Sequence, residues 1–153
     1  MRKFFLLAML FVVIACNKNT KEDEEPVDCC CTPPTYFSLF VNTSSAEYQN
    51  FLDSKGEVDK QNVYFYQLLE NRTERKIDTY LISDDSEKKG YMRILINSPS
   101  FLYTGKTEIF YLKNKTKTYK IEFLGTIGKC CIGKIKEMYI DGVKNDNWAH
   151  FKK

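Results

Sequence analysis

Residues 118–145 read TYKIEFLGTIGKCCIGKIKEMYIDGVKN. In the opening seven, Tyr119, Ile121 and Phe123 point one way and Lys120, Glu122 and Leu124 the other. A period of two with one apolar side predicts a half-buried strand whose second face is wet. Gly125 to Gly128 interrupts as a turn, Lys134–Ile140 resumes as a strand, and Asp141-Gly142 between apolar flanks signals a tight hairpin.

The same texture extends outward from this stretch. Short apolar runs separated by turn formers predict strands over Tyr36–Val41, Val63–Leu69, Lys76–Ile82, Tyr91–Ile96, Glu108–Lys113 and Trp148–Phe151 as well. In Tyr36–Val41 the set Phe37, Leu39, Val41 lies opposite Tyr36, Ser38, Phe40. Turn signals stand at Asp53-Ser54-Lys55-Gly56, Asp84 to Gly90, Ser98-Pro99-Ser100 and Thr104-Gly105. One segment is a helix candidate: Ser44-Ser45-Ala46-Glu47 fits a capping box, with Tyr48, Phe51 and Leu52 on one face and Gly56 to close it. Seven or eight strands at this spacing predict an all-β antiparallel β-sandwich, with a β-barrel as the alternative.

Composition agrees. The 153 residues are 43% hydrophobic and 14% aromatic, enough for a core and biased towards strands. A formal net charge of +3 argues against nucleic acid as a partner.

The N-terminus has its own chemistry. Arg2 and Lys3 precede an unbroken apolar run, Phe4 to Ala15. As a helix its 12 residues span about 18 Å, short of the roughly 30 Å bilayer core, so the run is expected to be a signal-peptide core. Val13-Ile14-Ala15-Cys16 resembles the bacterial lipobox, in which the peptide is cut before the cysteine and the thiol carries diacylglycerol. Two or more acyl chains hold a protein durably on a membrane. Asn17 to Asp28 has one aliphatic residue, Val27, and no aromatic one, so it is expected to be a tether with a reach of roughly 20 Å. Within it, Lys21-Glu22-Asp23-Glu24-Glu25 resembles the lipoprotein export signal of Bacteroidota, which directs lipoproteins to face outward. The organisation expected is a signal peptide over 1–15, a lipidated cysteine and acidic tether over 16–28, and a sandwich domain over 29–153.

Taken together, the chain resembles the small surface lipoproteins of Bacteroidota. The likeness rests on Cys16, the acidic tether, Cys29-Cys30-Cys31 at the start of the domain, and Cys130-Cys131 before the closing hairpin KIKEMYIDGVKN. It implies an Ig-like or transthyretin-like sandwich, lipid-anchored in the outer membrane and displayed at the cell surface. Fold alone does not give function.

With Cys16 committed to lipid, Cys29, Cys30, Cys31, Cys130 and Cys131 remain. An oxidising compartment favours a disulfide between the two clusters, and five thiols leave at least one over. Such a bond would close a loop of about 100 residues, for which chain entropy gives on the order of 4–5 kcal/mol. A thiolate metal site is the rival, though metal ligands usually stand two to four residues apart and no C-x-x-C occurs.

The sequence carries few catalytic patterns. The one histidine, His150, is fourth from the end, which removes H-E-x-x-H. Gly105-Lys106-Thr107 lacks the earlier glycine of a phosphate loop, since position 100 is Ser100. Asp84-Asp85 with Glu87, and Asp141 with Asn145, Asp146 and Asn147, match no calcium loop and read as solvated turns. Asn42-Thr43-Ser44, Asn71-Arg72-Thr73 and Asn114-Lys115-Thr116 match the N-glycosylation pattern, as chance matches in a bacterial lipoprotein. Lys113, Lys115 and Lys117 alternate and are expected to share a strand face, either protecting an edge or meeting an anionic partner.

The expectation is therefore a non-enzymatic module, without cofactor or metal, that binds protein or glycan through exposed aromatics. Tyr103, Tyr139 and Trp148 are the candidates, because each lies close to a predicted turn and such side chains suit exposed contacts. An accessory subunit of an envelope complex and a hydrolase with an unrecognised carboxylate pair are the alternatives.

Overall fold

The alternation that begins at Thr118 becomes a strand with Tyr119, Ile121 and Phe123 buried and Lys120 and Glu122 partly in solvent. The computed structural model describes residues 34, 36–84, 86, 88–128 and 132–145. Along them run β1 (Tyr36–Asn42), a 3-10 turn (Ala46–Phe51), β2 (Tyr64–Leu68), β3 (Glu74–Ile77), β4 (Thr79–Ile82) and β5 (Tyr91–Asn97). A second 3-10 turn (Ser100–Leu102), β6 (Thr104–Lys113), β7 (Thr118–Ile127), β8 (Gly133–Ile140) and β9 (Val143–Lys144) follow. Three strands form one sheet in the order β1-β5-β4, and six form another in the order β3-β2-β6-β7-β8-β9. Every pairing is antiparallel. The two sheets stay separate, so the architecture is a β-sandwich and not a barrel.

The core follows from the period of two. On β1, Phe37, Leu39 and Val41 face inward, and Phe37 enters a nest of three phenylalanines from the larger sheet. Its ring lies edge-on to Phe110 and Phe123, each at 5.5 Å between centroids, and to Phe65 at 6.1 Å. Edge-to-face packing sets the negative face of one ring against the positive rim of the next.

Three local expectations change. The predicted strand Lys76–Ile82 is two strands, because the chain crosses between the sheets at Asp78. Lys76 pairs with Tyr66 in the larger sheet, whereas Tyr80 pairs with Leu95 in the smaller. At the crossing the Thr79 hydroxyl donates to the Ile77 carbonyl at 2.8 Å and accepts the Phe65 amide at 2.9 Å, replacing ladder bonds that the crossing removes. The turn expected at Gly125–Gly128 begins later: β7 runs on to Ile127, with a register shift between Leu124 and Gly125. The capping box does not form either. Ser45 is the N-cap without a side-chain cap bond, and Glu47 accepts a hydrogen bond from the Tyr119 hydroxyl at 3.0 Å. Gly56 closes no helix but sits in the tight loop bracketed by the Leu52–Val58 bridge. Asp141 (φ 51°) and Gly142 (φ 78°) form the hairpin turn between β8 and β9 as expected. The expected strand Trp148–Phe151 lies outside the described residues. No helix among the described residues is long and apolar enough to cross a membrane.

Candidate functional site

Because Phe65, Phe110 and Phe123 face the core, their strand neighbours point to the opposite side of the sheet. Tyr64 and Tyr66 of β2, Ile109, Tyr111 and Lys113 of β6, Lys120 and Glu122 of β7 and Tyr139 of β8 therefore share the outer side of the six-stranded sheet, where neighbouring side chains cover Tyr66 and leave Tyr64, Tyr111 and Tyr139 partly exposed. Pairing sets Tyr66 directly opposite Tyr111, and Glu122 opposite both Ile109 and Tyr139. The rings of Tyr66 and Tyr111 stack with centroids 5.1 Å apart, and Tyr64 adjoins Tyr66 at 6.0 Å.

Charges frame these rings. The Lys76 ammonium sits 3.9 Å from the Tyr64 ring centroid. Glu74 accepts a hydrogen bond from Lys113 and another from the Tyr64 hydroxyl, each at 3.1 Å. The Lys113 contact holds the Glu74 carboxyl below its ordinary range, and Glu74 in turn raises Lys113. Glu122 raises Lys120 across a 2.8 Å ion pair. Burial is the main cause that lifts the Tyr66 phenol above its usual range. The surface is thus a row of phenol rings between ion pairs. Such a surface offers flat apolar contact together with hydroxyls and charges for orientation.

A second feature lies at the rim of the sandwich. A groove of about 840 Å³ opens between the loop 53–62, Leu81 and Ser83 beside β4, Tyr48 and Lys115. Its wall is built by two aspartates. Asp53 Oδ1 accepts the amides of Lys55 at 2.8 Å and Glu57 at 3.0 Å. Asp59 Oδ1 accepts the amides of Gln61 at 3.2 Å and Asn62 at 3.1 Å, and its Oδ2 takes the Asn62 side-chain amide at 2.8 Å. The Asn62 side-chain bond leads the causes that hold the Asp59 carboxyl below its ordinary range, against the opposing effect of burial.

The expected contact residues separate. Tyr139 stands on the outer sheet surface, partly exposed. Tyr103 does not offer an exposed contact: it is 8% exposed and packs edge-on against Phe123 at 5.3 Å. The reason is the pair of glycines beneath it. A Cβ on Gly125 or Gly133 would fall within 3 Å of its ring, so the two missing side chains make its pocket. Trp148, Cys16, Cys29, Cys30, Cys31, Cys130, Cys131 and Lys21 to Glu25 lie outside the described residues. Among the described residues, no three His, Cys, Asp or Glu side chains gather as metal ligands.

Lys113, Lys115 and Lys117 do not share a strand face. Lys113 ends β6, which is an interior strand with no edge to protect, and the other two belong to the turn before β7. Lys117 pairs with Asp141 at 3.0 Å, which also sets Asp141 apart from a calcium role. The three glycosylation-like triplets share one local cause. Asn42, Asn71 and Asn114 each accept the amide two residues on, at 2.8, 3.1 and 3.0 Å, as side-chain-closed turns. Gly105, at φ 81°, occupies a bulge inside β6 and not a strand-to-helix phosphate loop.

Sequence reasoning did not single out Tyr64, Tyr66 and Tyr111. The signal was present, since β2 and β6 also alternate, but which face meets water follows from the partner sheet. Comparison with protein-family models, curated proteins and solved structures found no match for this chain.

Proposed function

We propose that this chain is a lipid-anchored lipoprotein of the outer membrane, of the kind displayed on the surface of Bacteroidota, whose β-sandwich acts by binding a protein or a glycan and not by turnover. The anchor half of the reading is supported by sequence: the apolar run to Ala15, the Val13-Ile14-Ala15-Cys16 motif and the acidic tether. The binding half is carried by one observation, the partly exposed Tyr64, Tyr111 and Tyr139 on the outer side of the six-stranded sheet, seated around the buried ring of Tyr66. Tyr111 stacks on the buried Tyr66 ring and Lys76 lies over Tyr64, so the surface is held in place before a partner arrives. Pre-ordered aromatic side chains lose little conformational freedom on binding.

The test uses the full-length chain in detergent, immobilised and exposed to envelope extracts, matrix proteins and glycans. A retained partner should be lost about tenfold on Tyr111→Ala combined with Tyr139→Ala, since aromatic anchors dominate interface energies. Retention that ignores both substitutions, or turnover of a substrate while no partner is held, refutes the reading.

A further inference from the structure

The groove beside β4 calls for an occupant of its own. Its volume of about 840 Å³ lies within the roughly 300–1,000 Å³ typical of small-molecule sites. Its wall is preformed: besides the bonds to the two aspartates, the Asp53 amide donates to the Glu57 carbonyl at 2.7 Å and the Asp59 amide to the Phe51 carbonyl at 2.9 Å. A ligand entering it therefore has little loop to order.

The chemistry of the lining narrows the ligand. Asp53, Glu57 and Asp59 contribute three carboxylates against the two ammoniums of Lys60 and Lys115, which is near balance and selects against a strongly charged guest. Gln61 and Asn62 add amides that both donate and accept. Elsewhere on the molecule Lys113, Lys117 and Lys120 are each held by a carboxylate. Among the described residues no carboxylate comes within 4.0 Å of the Lys60 or Lys115 ammonium, so both keep their donors for a guest. Tyr48, partly exposed, adds an aromatic surface. Interleaved donors and acceptors around one ring, near neutral charge, match a molecule whose hydroxyls do both.

We propose that this groove binds a neutral saccharide, at a site separate from the tyrosine surface of the larger sheet. The experiment is calorimetric titration of the full-length chain, in a detergent without a sugar headgroup, with a panel of neutral oligosaccharides. Lys115→Met and Gln61→Ala change exposed side chains and should each weaken the best ligand about tenfold, while Tyr111→Ala should leave it unchanged. Ser83→Trp, which fills the groove, should abolish binding. If no saccharide in the panel binds, the proposal is wrong. If one binds, survives the three groove substitutions and is lost in Tyr111→Ala, the groove is refuted and the tyrosine surface gains the ligand.

Discussion

Replacing Gly125 with alanine tests the packing that draws Tyr103 inside. The added Cβ would stand 2.5 Å from Phe123 Cε1, 2.8 Å from Tyr103 Cδ1 and 3.1 Å from the Leu102 carbonyl oxygen. Carbon pairs rest at about 3.5–4.0 Å, so all three partners would have to give. None gives easily. Phe123 is fully buried against Phe37, Tyr103 is wedged on Phe123, and the third atom is backbone. Overpacking of this kind costs about 1–3 kcal/mol. Removing a glycine from a strand returns roughly 0.5–1 kcal/mol through the unfolded chain. The expected net loss is about 1–2 kcal/mol, read as a lower urea midpoint at unchanged slope. Tyr103→Ala alone opens a cavity, but in the double variant it vacates the space the new methyl needs. The two losses should then sum to less than their parts by at least about 0.5 kcal/mol. A neutral Gly125→Ala, or strictly additive losses, would show that the glycine is not what admits the ring.

Four further outcomes are expected. Asp59 has a lowered carboxyl pKa, so its stabilising effect is complete above about pH 4 and fades as pH falls through the folded value; Asp59→Asn should lower stability at pH 7 and flatten the loss between about pH 4 and pH 2 in acid-unfolding curves. Burial, then Glu47, holds the Tyr119 phenol above its ordinary range, so the hydroxyl stays a donor to Glu47, and Tyr119→Phe, which removes that bond, should cost about 1 kcal/mol by denaturant melt. Cys16→Ala should abolish fatty-acid labelling and detergent partitioning, and alanine in place of the acids of Lys21–Glu25 should shield the chain from protease added to whole cells. Unreduced peptide mapping of protein from its native envelope should give one fragment joining the Cys29–Cys31 region to Cys130–Cys131, whereas five free thiols or stoichiometric metal would overturn that bond.

What the sequence determined was local. Alternation in Tyr36–Val41 and Thr118–Leu124 placed strands to within a few residues, and Asp141-Gly142 placed a hairpin, because each depends on neighbours a few bonds away. The all-β sandwich followed from the number and spacing of such runs. What only the tertiary structure decided was which groups meet across the sheets. The run Lys76–Ile82 reads as one strand, since nothing local at Asp78 says that its halves pair with different sheets. Tyr103 and Tyr139 look alike beside predicted turns, yet one is buried by two glycines more than twenty residues further along and the other faces water. The lysines after Tyr111 read as an edge until β2 and β7 are known to flank β6. The groove draws on the loop 53–62, on β4 and on Lys115, three segments whose nearness is a product of folding. A side chain's environment is fixed by contacts distant in the chain, and alternation carries information only about the next residue on the same face.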